Sequence, residues 1–414
     1  MKDIFIPGDL LLPRDADPER WAVIACDQFT SRPDYWAEVE RRVGDSPSTL
    51  RLMLPEAYLG LPEEEERRRG ILAAMEDYLR RGLFRTLEDS YVYVERTLSG
   101  GGLRRGLLGL VDLEAYDYRN TSVSPVHATE GLVEERIPPR MALRREAPLE
   151  SSHLVLFYDD PELRIPALAE EHAGETLYDF PLMLGGGRIR GRRITGPGAE
   201  TVRAALDRLA DPEALRRKYG DTGSPVVYAV GDGNHSLATA RKCWEQLRET
   251  LSPARREHHP ARYALAELVD LHEPAMEFEP IHRVLFRTDP AEFLSEAEAR
   301  FPKGSGGHAF RCITAAGSLD LCAGGTIGQA IGALDAFVLD YAARHGGSID
   351  YIHGREEAEA FCAAPDRAGI LMPEMDKRDL FPSIIRSGLL PKKSFSIGPA
   401  LDKRYYLECR RITD

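Results

Sequence analysis

The stretch Val226-Val227-Tyr228-Ala229-Val230-Gly231-Asp232-Gly233-Asn234-His235-Ser236 holds the densest set of residues able to do chemistry. An apolar strand runs into a turn with two glycines, and a helix opens directly after it. That turn aims backbone N–H groups and the positive end of the helix dipole at one point, which suits phosphate or carboxylate. Asp232 is placed to hold Mg2+ or to take a proton, and His235 to bind phosphate or shuttle a proton. The plain alternative is that Ser236 or Asn234 caps the helix while Gly231 and Gly233 serve only the turn. Two standard phosphate motifs do not fit. Gly231-x-Gly233-x-x-Ser236 lacks the third glycine of the dinucleotide fingerprint, and Gly388-Leu389-Leu390-Pro391-Lys392-Lys393-Ser394 lacks the second glycine of a P-loop.

Three further clusters carry polar chemistry. Glu130 precedes Gly131 in a loop leading to a short helix, a suitable place for a general base, with Arg136 or Arg140 within reach of an anion. A solvated face of Glu and Arg is the alternative. His282-Arg283 lies between apolar flanks, Phe278 to Phe286, and serves either as a satisfied structural contact or as an anion site. Lys392, Lys393 and Ser394 form either a solvated turn or a phosphate clamp.

These residues need elements to position them. Residues 1–90 read as a helix-rich amino-terminal portion, with Trp21 to Ala25 as a strand and 63–83 as a helix. The period then switches to two: Tyr91 to Val94 and Leu107 to Val111 read as a hairpin around Gly100-Gly101-Gly102, and Leu154 to Tyr158 as another strand. Leu182 to Leu184 with Ile189 and Ile194 suggests a second hairpin. Residues 201–217 read as one helix, and Ser236 to about Leu251 as the next. With its Glu130 loop and Asp232 turn, 91–252 forms a central domain. The remainder, 253–414, alternates strands with helices. The fold class expected is α/β (α+β): a central mixed sheet with helices, flanked by a helix-rich amino-terminal portion and an α/β carboxyl-terminal portion.

Composition narrows the function classes. The chain has 414 residues, 43% hydrophobic and 29% charged, enough for two or three globular domains. Its formal net charge of -13 argues against broad binding to nucleic acid or anionic membranes. No run approaches the roughly 18 apolar residues of a membrane span, no signal-peptide core forms at the amino end, and the six cysteines show no zinc spacing. A cytoplasmic protein with reduced thiols is the expectation.

The order of several short motifs resembles the domain of unknown function 1015 family, which is often filed beside the ParB/SpoOJ proteins. They are Ser46-Pro47-x-x-x-Arg51, Tyr91-Val92-Tyr93, Gly106-Leu107-Leu108-Gly109, Thr129-Glu130, Asp232-Gly233-Asn234-His235, Pro280-Ile281-His282-Arg283 and Pro391-Lys392-Lys393-Ser394. The family's centre resembles the ParB/sulfiredoxin-like fold, and its Asp-Gly-His-His-Arg loop is similar to that of free serine kinases. That resemblance implies Glu130 as base on a substrate hydroxyl, with Asp232, Gly233 and His235 at the phosphates and metal of ATP or ADP with Mg2+. The chain departs from the pattern at Asn234-His235-Ser236 and at Thr129, so the loop arginine is missing and Arg51, Arg283, Lys392 or Lys393 would have to replace its charge. The resemblance thus implies a nucleotide-dependent phosphotransferase for a small hydroxyl metabolite such as free L-serine. The alternatives are a non-catalytic ParB-like nucleotide switch and a metabolite-binding protein. Nucleotide and small molecule are the expected partners, DNA is not, and a homodimer is compatible.

Overall fold

A computed structural model of the chain describes residues 2–119, 124–134, 137–304 and 306–413. It is a mixed α/β protein that groups into two compact units. The first comprises residues 1–128, 132–276 and 399–414, and the second 129–131 and 277–398.

Among the described residues, the first unit is built on a 13-stranded mixed sheet. Its centre runs Val126–His127, Tyr228–Asp232, Val155–Tyr158, Tyr263–Asp270, Leu103–Asp112, Phe84–Thr97 and Gly8–Pro13. The hairpin around Gly100 to Gly102 forms as expected, with Val92 opposite Leu108. The second hairpin pairs Thr176–Pro181 with Arg188–Thr195, so Leu182 to Leu184 fall in its turn. Leu182 and Met183 are buried there, which explains why an apolar triplet occupies a turn. The expected single helix over 201–217 is two, Pro197–Leu209 and Pro212–Tyr219. Asp211 accepts the N–H of Ala214 and Pro212 takes the first helical position, a start signal that splits the run.

The Trp21 to Ala25 strand is shorter than expected. Trp21 ends the helix Pro18–Trp21, and Val23–Ile24 pairs with Tyr405–Tyr406 in a two-stranded ribbon. Near the carboxyl end Tyr405–Tyr406 and Cys409–Arg411 are separate strands, the latter joining the large sheet beside Leu11. Arg404 anchors this bend. It is 1% exposed and pairs with Glu267 at 3.0 Å and Glu408 at 2.6 Å.

The second unit carries a six-stranded sheet in which Phe278–Phe286 lies between Ser348–His353 and Arg367–Leu371, and Phe395–Ile397 pairs with its start. Val284, Ile313, Ile352 and Ala358 are among the residues of its core. All six cysteines are unpaired. No helix of the described residues is long and apolar enough to cross a membrane.

Candidate functional site

In the first unit, the strand Tyr228–Asp232 ends at Asp232, and Gly233 turns the chain into the helix Asn234–Thr250. Gly233 has φ +83°, a left-handed conformation that a side chain resists. A Cβ at Gly233 would meet Leu154 at 3.2 Å and His153 Nε2 at 3.5 Å, so the missing side chain is also the space that faces the imidazole. Gly231 has a packing role: a Cβ there would collide with the Phe157 ring at 2.5 Å. Neither Asn234 nor Ser236 caps the helix. The cap position is Gly233, which makes no side-chain cap bond, and its own N–H donates to Asp232 Oδ1 at 2.9 Å. His235 Nε2 accepts the N–H of Val133 at 2.9 Å.

The sheet register brings a histidine to this turn. Asp232 lies opposite Val155 on the antiparallel neighbour, so His153, two residues earlier, stands beside the turn. The ribbon supplies the rest. Asp27 follows Val23–Ile24, and Lys403 precedes Tyr405–Tyr406. One ligand atom from each of Asp27, His153 and Asp232 lies within 4.8 Å of the others, and Lys403 Nζ is 3.6 Å from Asp232 Oδ2. The Gln28 amide donates to Asp27 Oδ1 at 3.0 Å. Tyr406 Oη is 2.7 Å from His153 Nδ1 and fixes the ring. Two carboxylates and an imidazole form a donor set that fits a divalent cation.

A cleft of ≈ 170 Å³ adjoins the cluster and shares His153 with it. Leu52, Met53, Leu143 and Leu149 give it an apolar floor, and Ser236 and Tyr406 a polar rim. Arg140 pairs with Glu56 and Arg144 with Glu150 at the cleft, while Arg144 Nη2 is buried without a hydrogen-bond partner.

The remaining sequence candidates lie elsewhere. Arg51 is held by Glu40 at 2.7 Å and by the Gly44 carbonyl. Arg140 is taken by Glu56, and Arg136 lies outside the described residues. In the second unit Glu130 accepts the N–H of Lys393 through Oε1 at 3.2 Å, and Leu390 donates to the Thr129 carbonyl. Lys393 has φ +61°, a strained conformation for a side-chain-bearing residue. The Lys392 and Lys393 side chains are exposed. Arg283 is fully buried, pairing with Asp335 at 3.0 Å and donating to the Ile281, Lys392 and Lys393 carbonyls. Ser394 donates to the Pro391 carbonyl, and His282 Nδ1 accepts the N–H of Met372. The structure thus gathers Glu130, His282, Arg283, Lys392, Lys393 and Ser394 in one unit and the Asp232 turn in the other.

Sequence reasoning missed Asp27, His153, Lys403 and Tyr406. Each flanks a buried strand end, a signal available at His153 beside the apolar run from Leu154 to Tyr158.

The chain is similar to several solved structures. SbnI with a C-terminal truncation from Staphylococcus aureus is 8% identical, covering 70% of this chain and 82% of its own, with a TM-score of 0.37. A conserved hypothetical protein from Pyrococcus furiosus is 9% identical, covering 73% and 94%, with a TM-score of 0.37. A free serine kinase in complex with AMP is 11% identical, covering 73% and 90%, with a TM-score of 0.38. No curated protein matches the chain. The family model described as "Protein of unknown function (DUF1015)" matches residues 11–371, and the chain belongs to that family.

Proposed function

We propose that the protein is a nucleotide-dependent phosphotransferase that uses ATP or ADP to phosphorylate a small hydroxyl metabolite, free L-serine being the first to try. The observation that supports this reading most is the meeting of the Asp232 turn with Asp27, His153 and Lys403 at the start of the helix Asn234–Thr250. Phosphoryl transfer asks a protein mainly for positioning and charge neutralisation. Backbone N–H groups of the first helical turn, with Lys403, supply donors and positive charge to phosphate oxygens. Lys403 thereby takes over the charge of the loop arginine whose place Ser236 holds. Neutralising phosphate charge is also the chemistry that Mg2+ supplies when held by Asp232 and Asp27. Gly231 lets the strand end approach Phe157, and Gly233 keeps the turn open.

Glu130 is the proposed base on the acceptor hydroxyl, following the family resemblance of its loop, and its carboxylate is oriented by the Lys393 N–H. Arg283 acts at one remove, by fixing the carbonyls of Lys392 and Lys393.

The test is a thermal-shift screen against ATP, ADP, CTP, GTP and pyrophosphate, with and without Mg2+, because a ligand that binds only the folded state raises the midpoint. A Mg2+-dependent rise with ATP or ADP that disappears in Asp232→Ala is the expected result. A rise with CTP alone and no turnover of any hydroxyl metabolite would support the ParB-like switch instead. No rise with any of the five would remove the nucleotide reading and leave metabolite binding.

A further inference from the structure

We infer that Asp27, Asp232 and His153 Nε2 together form a divalent-cation centre that favours a first-row transition ion over Mg2+. It rests on the metal role proposed above for Asp232 and Asp27, adds His153 to them and names the class of ion.

The histidine carries the argument. His153 is only 4% exposed, and its Nδ1 is occupied by Tyr406. Its other nitrogen faces Gly233, where a Cβ would lie 3.5 Å away, and takes no hydrogen bond among the described residues. His153 lines the cleft, and its ligand atom and one oxygen each of Asp27 and Asp232 lie within 4.8 Å of one another, a spacing that a shared cation fits.

A cation at Nε2 requires the tautomer with its ring proton on Nδ1, donated to the Tyr406 oxygen 2.7 Å away. A metal-bound histidine characteristically donates its second N–H to such an acceptor, so Tyr406 is a positioning residue. Lys403 stands 3.6 Å from Asp232 and must be accounted for. Two carboxylates and one ammonium leave one net negative charge. A dication converts that to one net positive charge, the sign that holds a phosphate at the adjoining helix start.

Ligand softness sets the ion. Mg2+ demands near-octahedral oxygen donors and keeps its waters, whereas imidazole suits first-row transition ions and carboxylate is shared by both. Mn2+ is therefore the probe.

The experiment is a Mn2+ titration of the chelator-treated full chain followed by electron paramagnetic resonance, without nucleotide, with Mg2+ as competitor. We expect one Mn2+ per chain bound at least about 10-fold more tightly than Mg2+, with nitrogen-14 modulation of the bound ion's echo. His153→Gln should abolish the modulation and weaken Mn2+ about 10- to 100-fold, and Tyr406→Phe should weaken it about 10-fold with the modulation kept. Absent Mn2+ binding, equal affinity for Mg2+, or bound Mn2+ without nitrogen coupling in the unmodified protein would each overturn the inference, whatever the variants do. Metal binding without any nucleotide shift would keep this centre and remove the phosphotransferase. A Mg2+-dependent nucleotide shift without nitrogen coupling would do the reverse.

Discussion

Arg283 and His153 are both almost sealed from solvent, at 0% and 4% exposure, yet they are held in opposite ways. Arg283 is enclosed by Asp335 and three carbonyls, and its neighbours His282 and Ser394 likewise have backbone partners. His153 has one nitrogen tied to Tyr406 and the other turned toward two carboxylates. In the second unit the buried polar groups hold a strand and a loop together. In the first, the corresponding groups converge and leave coordination capacity over. Such capacity marks a site better than polarity or burial does, because structural polar networks also perturb charge.

Four measurements break or sharpen this contrast. The largest effect belongs to Glu130→Gln, which should lower phosphoryl transfer by about 100- to 10,000-fold, as expected for loss of a general base. Its nucleotide-dependent thermal shift should stay within error, and a lost shift would mean that Glu130 serves binding. Next comes Arg283→Met, which strands Asp335 and should destabilise the second unit by about 3–5 kcal/mol, read from denaturant unfolding. A change below about 1 kcal/mol would show that the buried pair is not what holds the Lys392 loop.

Lys403→Met should weaken nucleotide binding about 10-fold by calorimetry, the loss of one charge-assisted contact worth about 1.4 kcal/mol. Unchanged affinity would remove Lys403 from the phosphate site.

The smallest effect is a pair of opposed pH dependences. Burial, aided by Arg355 and Arg283, brings the His282 imidazole down to about 4. Between the ordinary imidazole value and that point the folded protein binds fewer protons than the unfolded chain, so stability is lost as pH falls from about 6.5 toward 4. In the first unit, burial and the Asp160 and Asp159 charges outweigh the His272 N–H and push the Asp270 carboxyl up to about 8. There the folded protein binds more protons, so stability falls as pH rises from about 4 to 8. Each slope should shift a melting midpoint by about 3 °C, and His282→Asn and Asp270→Asn should flatten the acid and alkaline slopes respectively. Flattening of the wrong slope would reverse the assignment.

How much of this was legible in the residues depends on range. The run from Val226 into Gly231 and Gly233 announces its own strand, turn and helix, because apolar periodicity and glycine turns are local signals. The break at Asp211-Pro212 is equally local and was overlooked within a longer helical pattern. Asp232 was therefore readable. Asp27, His153 and Lys403 were not, since their meeting depends on Asp232 facing Val155 and on Ile24 facing Tyr405. Register of that kind is decided by the whole sheet, which no window of sequence contains.

The ribbon that joins Val23–Ile24 to Tyr405–Tyr406 also sets a timetable. Asp27 is made before Lys403 and Tyr406, and it meets them only after nearly four hundred further residues have followed. At synthesis rates of about 5–20 residues per second, the nascent chain goes without a complete site for roughly 20–80 seconds. A chain released before residue 403 would lack both side chains from the cluster.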